Sequence, residues 1–177
     1  LMGIGYALAP GVRGVPDAPT SGAAYMIGFF LIKAGGAIID NMAILFAIGI
    51  GVGLSRDNDG TGGVAGLVSW LLMTNLLNPA VVSSIVPAMG AAGSTNEVAF
   101  GKIANPFIGI LAGVIGAVCY NKFKSTKLPD SLSFFSGKRS VAIFTGMISI
   151  LVSVVLLFVW PVIFGALVAL GNGILKL

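Results

Sequence analysis

Long apolar runs separated by short polar punctuation organise this chain. AGGAIIDNMAILFAIGIGVGL, residues 34–54, is interrupted only by Asp40-Asn41 and ends in the polar SRDNDGTGG. Similar runs cover 61–77, stopped by Asn78-Pro79, then 103–120, and 141–160, closed by Pro161. About 20 apolar residues cross a bilayer as a helix, so each run predicts a membrane span. Residues 1–9 would reach only about 13 Å as a helix, less than half of a hydrocarbon core, and are expected to be a truncated first span. Residues 164–177 are read as a further helix or its linker, so the chain is expected to be clipped at both ends. Between the runs lie a turn-rich connector at 11–22 and a short interfacial helix at 23–33 carrying Phe29, Phe30 and Lys33. A longer connection at 79–102 includes a partial helix over AVVSSIVPAM, and a polar loop covers 121–139. The predicted fold is all-α, a polytopic membrane bundle of about five transmembrane helices.

Composition sharpens this picture. Only 9% of the 177 residues are charged and 56% are hydrophobic, against roughly 25% charged in a soluble domain, so a water-facing surface cannot be assembled. Ser140 to Leu175 contains no Asp, Glu, Lys or Arg at all. The net charge of +4 does not point to nucleic acid, because the basic residues sit in separate loops and form no stripe. A single cysteine, Cys119, excludes an internal disulfide framework. The absence of histidine removes the commonest general base and metal ligand. No catalytic residue, metal site or cofactor is therefore expected.

The charges orient the bundle. The loops around 55–60 and 121–139 fall on one side and hold Arg56, Lys122, Lys124, Lys127, Lys138 and Arg139; the opposite side holds Arg13, Lys33, Lys102 and Lys176. Basic residues accumulate on the cytoplasmic face, which places the 121–139 loop there.

Few residues invite a chemical role. Asp40-Asn41 lies within an apolar run, where an ionisable residue usually faces a bundle interior or an aqueous cavity. Near the start of a helix over 34–54 the macrodipole would favour the carboxylate, and Lys33 lies on nearly the same face. These three are candidate substrate-adjacent residues, against the simpler reading of a structural pair with Lys33 reaching to the interface. GIGVG at 49–53 and GILAG at 109–113 carry the small-xxx-small spacing of close helix contacts, within one subunit or between two. Neither follows a strand, as a nucleotide loop would. Cys119 sits in an apolar setting that disfavours a thiolate. The lysines of the 121–139 loop could attract anionic lipid, while Phe134-Phe135 need a surface to cover, so the loop folds onto the bundle or docks a partner.

The succession GGAIIDNMAILFAIGIGVGLSRDNDG, YNKFKSTKLPDSLSFFSGKRSVAI and FVWPVI closely resembles the N-terminal half of the IIC membrane component of bacterial sugar phosphotransferase permeases of the glucose and N-acetylglucosamine family. That resemblance implies a multi-pass protein of the bacterial inner (plasma) membrane that imports glucose or N-acetylglucosamine with coupled phosphorylation. The phosphoryl group would come from a IIB domain that is itself phosphorylated by IIA. It also implies that this part is the scaffold and homodimer interface, with most of the sugar site in the half that follows. Cys119 does not match the family's phosphorylated cysteine, so this portion is expected not to be catalytic alone. Asp130, Phe134, Phe135, Lys138 and Arg139 are the candidate cytoplasmic coupling loop, with Lys138 and Arg139 presenting charge to the phospho-donor domain. Relatives often carry Val-Pro where this chain has Val141-Ala142, so the helix there is expected to start slightly earlier. Two other readings stay open: a non-transporting membrane interaction module, and an ion-coupled secondary transporter using Asp40.

Overall fold

A computed structural model of the chain describes residues 1–16, 18–89 and 93–175 and contains helices and turns, with no strand among them. It divides into two compact units, residues 1–42 and 43–177. In the first, helix α1 (Met2–Leu8) packs on α2 (Ala23–Asp40). Small residues permit the contact: a Cβ on Gly5 would lie 2.7 Å from the Gly28 carbonyl, and one on Gly28 would lie 2.8 Å from Ala9 Cβ. A 3-10 turn at Pro10–Arg13 ends at Gly14, whose left-handed φ of 72° suits glycine. The Arg13 guanidinium lies over the Tyr6 ring.

The second unit contains α3 (Met42–Gly53, of which 43–53 belong here), α4 (Gly60–Leu76), α5 (Pro79–Ile85), α6 (Thr95–Gly101), α7 (Pro106–Phe123) and α8 (Ser140–Leu175). Its centre is α4, packed along α7 and α8. Side-chain caps start four of these helices: Asp59, Asn78, Ser94 and Asn105 each accept a backbone N–H from the first turn, which meets donors that helix geometry leaves unpaired. Asn78-Pro79 does interrupt the chain, and α4 and α5 are bent by 61° across it.

Glycine and alanine set the spacing of α3, α4 and α7. The buried positions of α3 are Ala43, Ala47 and Gly51, one stripe at four-residue intervals. Gly51 abuts Gly62, Ala47 abuts Gly66, and Ala43 abuts Gly109, each so closely that an added Cβ would strike backbone. This is the small-residue mode of membrane helix packing. The GILAG stretch takes part through Gly109 and Gly113. In GIGVG, the middle glycine is the packed one; a Cβ at Gly49 or Gly53 meets nothing within 4 Å. A larger apolar core of Met73, Leu77, Val82, Phe100, Ile108, Leu157 and Trp160 fills the region near α5 and α6. There the Trp160 indole N–H donates to the Ala99 carbonyl at 2.7 Å. Buried hydroxyls also link helices, with Ser149 donating to Ser69 at 2.8 Å.

Three helices, Ala23–Asp40, Pro106–Phe123 and the long C-terminal one, are apolar and long enough to cross a membrane, and the bent α4–α5 pair makes a fourth if counted as one span. Their outer faces carry exposed Ile, Leu, Val and Phe, including Leu151, Val155 and Val162. The chain is thus an all-α membrane helix bundle.

Several expected boundaries are corrected. The run at 34–54 is not one helix beginning at 34. Residues 34–40 continue the expected short helix at 23–33, so α2 runs through Asp40; the break comes at Asn41, with φ −103° and ψ 15°, and α3 starts at Met42. Asn41 itself closes α2, its side-chain amide donating to the Ala37 carbonyl at 2.8 Å. Pro161 does not end the last helix; α8 runs through it for 36 residues, about 54 Å at 1.5 Å per residue. Among apolar surroundings a chain leaving the helix would expose unpaired backbone groups, which outweighs the one hydrogen bond lost at proline. The 103–120 helix starts at Pro106 and extends to Phe123, into the expected loop. The last helix begins at Ser140, one residue ahead of 141. Lys176, counted above on the opposite side, lies outside the described residues.

Candidate functional site

Two carboxylates and two lysines of the second unit meet where α3 turns into α4. Its SRDNDG turn is shaped by Asn58, in the left-handed region at φ 47°, and by Ser55, whose hydroxyl donates to the Val52 carbonyl at 2.6 Å and accepts from the Asp59 N–H. This geometry presents Asp57 and Asp59 to the 121–139 loop. Asp57 Oδ2 accepts from Lys124 Nζ at 2.7 Å and from the Tyr120 hydroxyl at 2.9 Å. Asp59 pairs with Lys138 through Oδ2, while its Oδ1 caps α4 by accepting the Thr61 N–H at 2.8 Å. Asn121 completes the clasp, accepting from the Arg56 N–H at 2.7 Å and donating to the Leu54 carbonyl at 3.0 Å. The loops expected to share one side therefore meet at one end of the bundle.

Both carboxylates are held below their usual pKa. For Asp57 the main cause is the Lys124 hydrogen bond, followed by that from Tyr120. For Asp59 the Lys138 hydrogen bond leads and the Thr61 N–H adds to it. Hydrogen bonds and nearby cations favour the charged form of an acid. The clasp stays ionised at neutral pH and holds the loop by two separate ion pairs.

The loop is folded on itself as well. The Gly137 N–H donates to the Thr126 carbonyl at 3.0 Å, and the Leu128 N–H donates to Ser136 Oγ at 3.0 Å. Gly137 has φ 75°, which favours glycine at this return. Phe123 stacks on Phe144 with ring centroids 4.3 Å apart, tying the loop's start to α8. A 3-10 segment, Asp130–Phe135, forms the outer rim, and a second, Gly137–Arg139, leads into α8.

Of the expected coupling residues, Asp130 is exposed in the first turn of the rim. Phe134 and Phe135 pack edge to face at 5.3 Å, yet Phe134 remains 71% exposed. The Arg139 guanidinium lies 4.7 Å from the Phe134 ring centroid, a cation–π arrangement. The ion pairs and the Phe123–Phe144 stack hold the loop down, and Phe134-Phe135 face outward. Lys138, expected to present free charge, is bound to Asp59. Arg56, Lys122, Lys127 and Arg139 are in no ion pair among the described residues.

The other expected group is not drawn together. Asp40 is the last residue of α2 and is exposed, as are Asn41 and Lys33. The macrodipole at that end disfavours an anion, the reverse of the expectation from a helix over 34–54. Lys33 Nζ lies 5.4 Å from the Phe29 ring centroid, and no ion pair joins it to Asp40. Cys119 is 1% exposed, shut away from any reaction partner. Asp57, Asp59 and Tyr120 were missed in the sequence; the signal was two carboxylates in a short polar turn on the same side as a lysine-rich loop.

A family model described as "Phosphotransferase system, EIIC" matches residues 1–177. The N-acetylglucosamine-specific EIICB component of Bacillus subtilis is 36% identical over 148 residues, covering 84% of this chain and 29% of that protein. The N-acetylglucosamine-specific EIICBA component of Escherichia coli is 36% identical over 147 residues, 83% of this chain and 20% of that protein. The glucose-specific EIICBA component of Staphylococcus carnosus is 35% identical over 144 residues, 80% of this chain and 21% of that protein. The chain therefore spans less than a third of the length of these relatives. A match from first residue to last on an apolar bundle of this kind means that the chain belongs to the phosphotransferase system EIIC family.

Proposed function

We propose that this chain is the membrane-embedded scaffold portion of a sugar phosphotransferase permease that imports glucose or N-acetylglucosamine and phosphorylates it during entry. The observation that carries the reading is the end-to-end family match, together with relatives named as N-acetylglucosamine- and glucose-specific EIICB and EIICBA components. Those names join EIIC to B and A components in one protein, which supports IIB as the phosphoryl donor and IIA as its source. The protein lies in the bacterial inner membrane as a multi-pass homodimer, with its 121–139 loop in the cytoplasm. The glycine-spaced contacts of α3, α4 and α7 give the rigid part against which moving segments of the complete permease work.

The loop serves as the coupling surface. Asp57 and Asp59 hold it in shape through Lys124 and Lys138, while Lys122, Lys127, Arg139 and the exposed Phe134 meet the phospho-donor domain. Lys138 is thus a positioning residue, and Arg139 a contact.

The test uses the full-length permease in a bacterial strain without its own glucose and N-acetylglucosamine uptake. Sugar phosphate should accumulate with phosphoenolpyruvate even when ion gradients are collapsed. Accumulation of unmodified sugar that depends on a gradient would overturn the reading in favour of a secondary transporter. Within the same assay, Lys138→Glu should lower phosphorylation and Lys138→Glu with Asp59→Lys should restore it in part, the lost Asp59 cap on α4 limiting the recovery, whereas Arg139→Glu should not be rescued by any change at Asp59. Unchanged phosphorylation in both Lys138→Glu and Arg139→Glu would remove the coupling role.

A further inference from the structure

A pocket of about 360 Å³ with polar and apolar walls opens where α4 stops and the chain bends into α5, beside the connection between α6 and α7. Its size falls near the lower end of the roughly 300–1,000 Å³ usual for ligand sites. Its lining includes Trp70, Thr74, Asn75, Asn78 and Phe100, and no charged side chain among the described residues. In a chain where broken helices leave backbone groups unpaired, such a break is tolerated when it lines a cavity.

The hydrogen bonds already made decide what the cavity offers. The Thr74 hydroxyl proton is committed to the Trp70 carbonyl at 2.8 Å, which leaves its oxygen able to accept. Asn75 donates one Nδ2 proton to the Leu71 carbonyl at 2.8 Å, leaving the other proton to donate and Oδ1 to accept. Asn78 does the opposite: Oδ1 accepts the Ala80 N–H at 3.0 Å as a cap, leaving the Nδ2 protons to donate. Free acceptors and free donors side by side, without a net charge, match hydroxyl groups, which both give and take hydrogen bonds. A charged ligand would find no counter-charge here. Trp70 adds an aromatic wall, and its indole Nε1 is the one buried side-chain nitrogen or oxygen without a partner among the described residues.

Position adds the direction. Helix α4 begins at the Asp59 clasp and ends at the cavity 17 residues later, about 24 Å away at 1.5 Å per residue. With the clasp on the cytoplasmic side, the cavity belongs to the opposite side, from which an imported solute arrives.

We propose that this cavity is an outer subsite for a neutral sugar, held by Asn78 Nδ2 as donor and by Asn75 Oδ1 and Thr74 Oγ1 as acceptors, before the sugar passes deeper into the complete permease. The proposal rests on the permease reading above and locates one place where its substrate touches this chain. Asn78→Asp keeps the capping oxygen and replaces the free donor with an acceptor. Thr74→Val keeps the side-chain shape and removes the hydroxyl oxygen. Both changes leave the clasp untouched.

The experiment measures uptake of radiolabelled glucose and N-acetylglucosamine by the full-length permease across a range of concentrations. For the transported sugar, Asn78→Asp with Thr74→Val should raise the apparent KM about tenfold (~1.4 kcal/mol), with the maximal rate and the need for phosphoenolpyruvate retained. An unchanged KM in the double variant, at parental membrane levels, would overturn the subsite while leaving the permease reading intact. A parent protein that needs no phosphoenolpyruvate would instead overturn the permease reading. If the double variant does not reach the membrane, Asn78→Ser supplies the test, since serine also caps helices; an unchanged KM there counts against the proposal equally.

Discussion

Gly66→Ala should destabilise the bundle although alanine is the better helix former. An added Cβ at Gly66 would fall inside 3.0 Å of the Ala47 carbonyl of α3 and lie 3.3 Å from the Gly113 Cα of α7. Both neighbours are backbone, so no rotamer change relieves the clash, and α3 must move away from α4. The movement loosens the adjoining Gly51–Gly62 and Gly63–Val52 contacts. Overpacking of this kind costs about 1–3 kcal/mol. Against it stands a gain of up to ~1 kcal/mol for replacing glycine inside a helix. Gly165→Ala isolates the two effects: it lies within α8 and its Cβ would meet nothing within 4 Å, so it takes the helix gain without the clash. The difference between the two variants is then the steric cost alone, about 1–3 kcal/mol. At about 1 °C per kcal/mol for a protein roughly three times the length of this chain, Gly66→Ala should unfold on the order of 2 °C below Gly165→Ala. Thermal unfolding of the full-length permease in detergent reads this directly. A Gly66→Ala midpoint equal to or above that of Gly165→Ala would refute the argument that backbone contact sets the spacing of α3 and α4.

The clasp should be acid-sensitive in a defined sense. Because Asp57 and Asp59 have depressed values in the folded protein, their contribution is fully present above the ordinary aspartate value of about 4 and is lost as pH falls through the depressed ones. The midpoint difference between the parent and Asp57→Asn/Asp59→Asn should stay constant from about pH 5 to 8 and shrink toward zero as pH falls below about 4. A difference that faded near neutrality would contradict the ion-pair assignment. The buried Ser149–Ser69 hydrogen bond should appear as coupling in a double-mutant cycle with alanine, about 0.6 kcal/mol as for other membrane helix pairs. Strict additivity of the single changes would show that the bond contributes nothing.

The membrane class and the order of helices were readable from apolar runs alone, because a chain with so few charges has no other way to meet solvent. Breaks inside those runs were not. Asp40-Asn41 looks like the interior of a span because apolar residues continue on both sides; the break depends on the Asn41 backbone angles and its amide turning back to Ala37. Pro161 looks like a terminator, yet α8 passes it. Glycine packing was visible as spacing and mistaken in register: with small residues at 49, 51 and 53, composition cannot tell which one faces a neighbour, and the contact at Gly62 decides for Gly51. The clasp needed the fold, since Lys124 and Lys138 lie 67 and 79 residues from their carboxylates. The cavity also escaped notice, because Asn75 and Asn78 read locally as the end of one helix and the cap of the next.

The sidedness of the Asp57–Lys124 end underlies both the proposed coupling role and the proposed outer position of the cavity. With Cys119 replaced by serine in the full-length permease, a cysteine at Leu132, which is 50% exposed on the loop rim, can be probed with a membrane-impermeant maleimide. Leu132→Cys should resist labelling in intact cells and be labelled in inside-out vesicles. Labelling in intact cells with none in inside-out vesicles would place this loop outside and contradict the account.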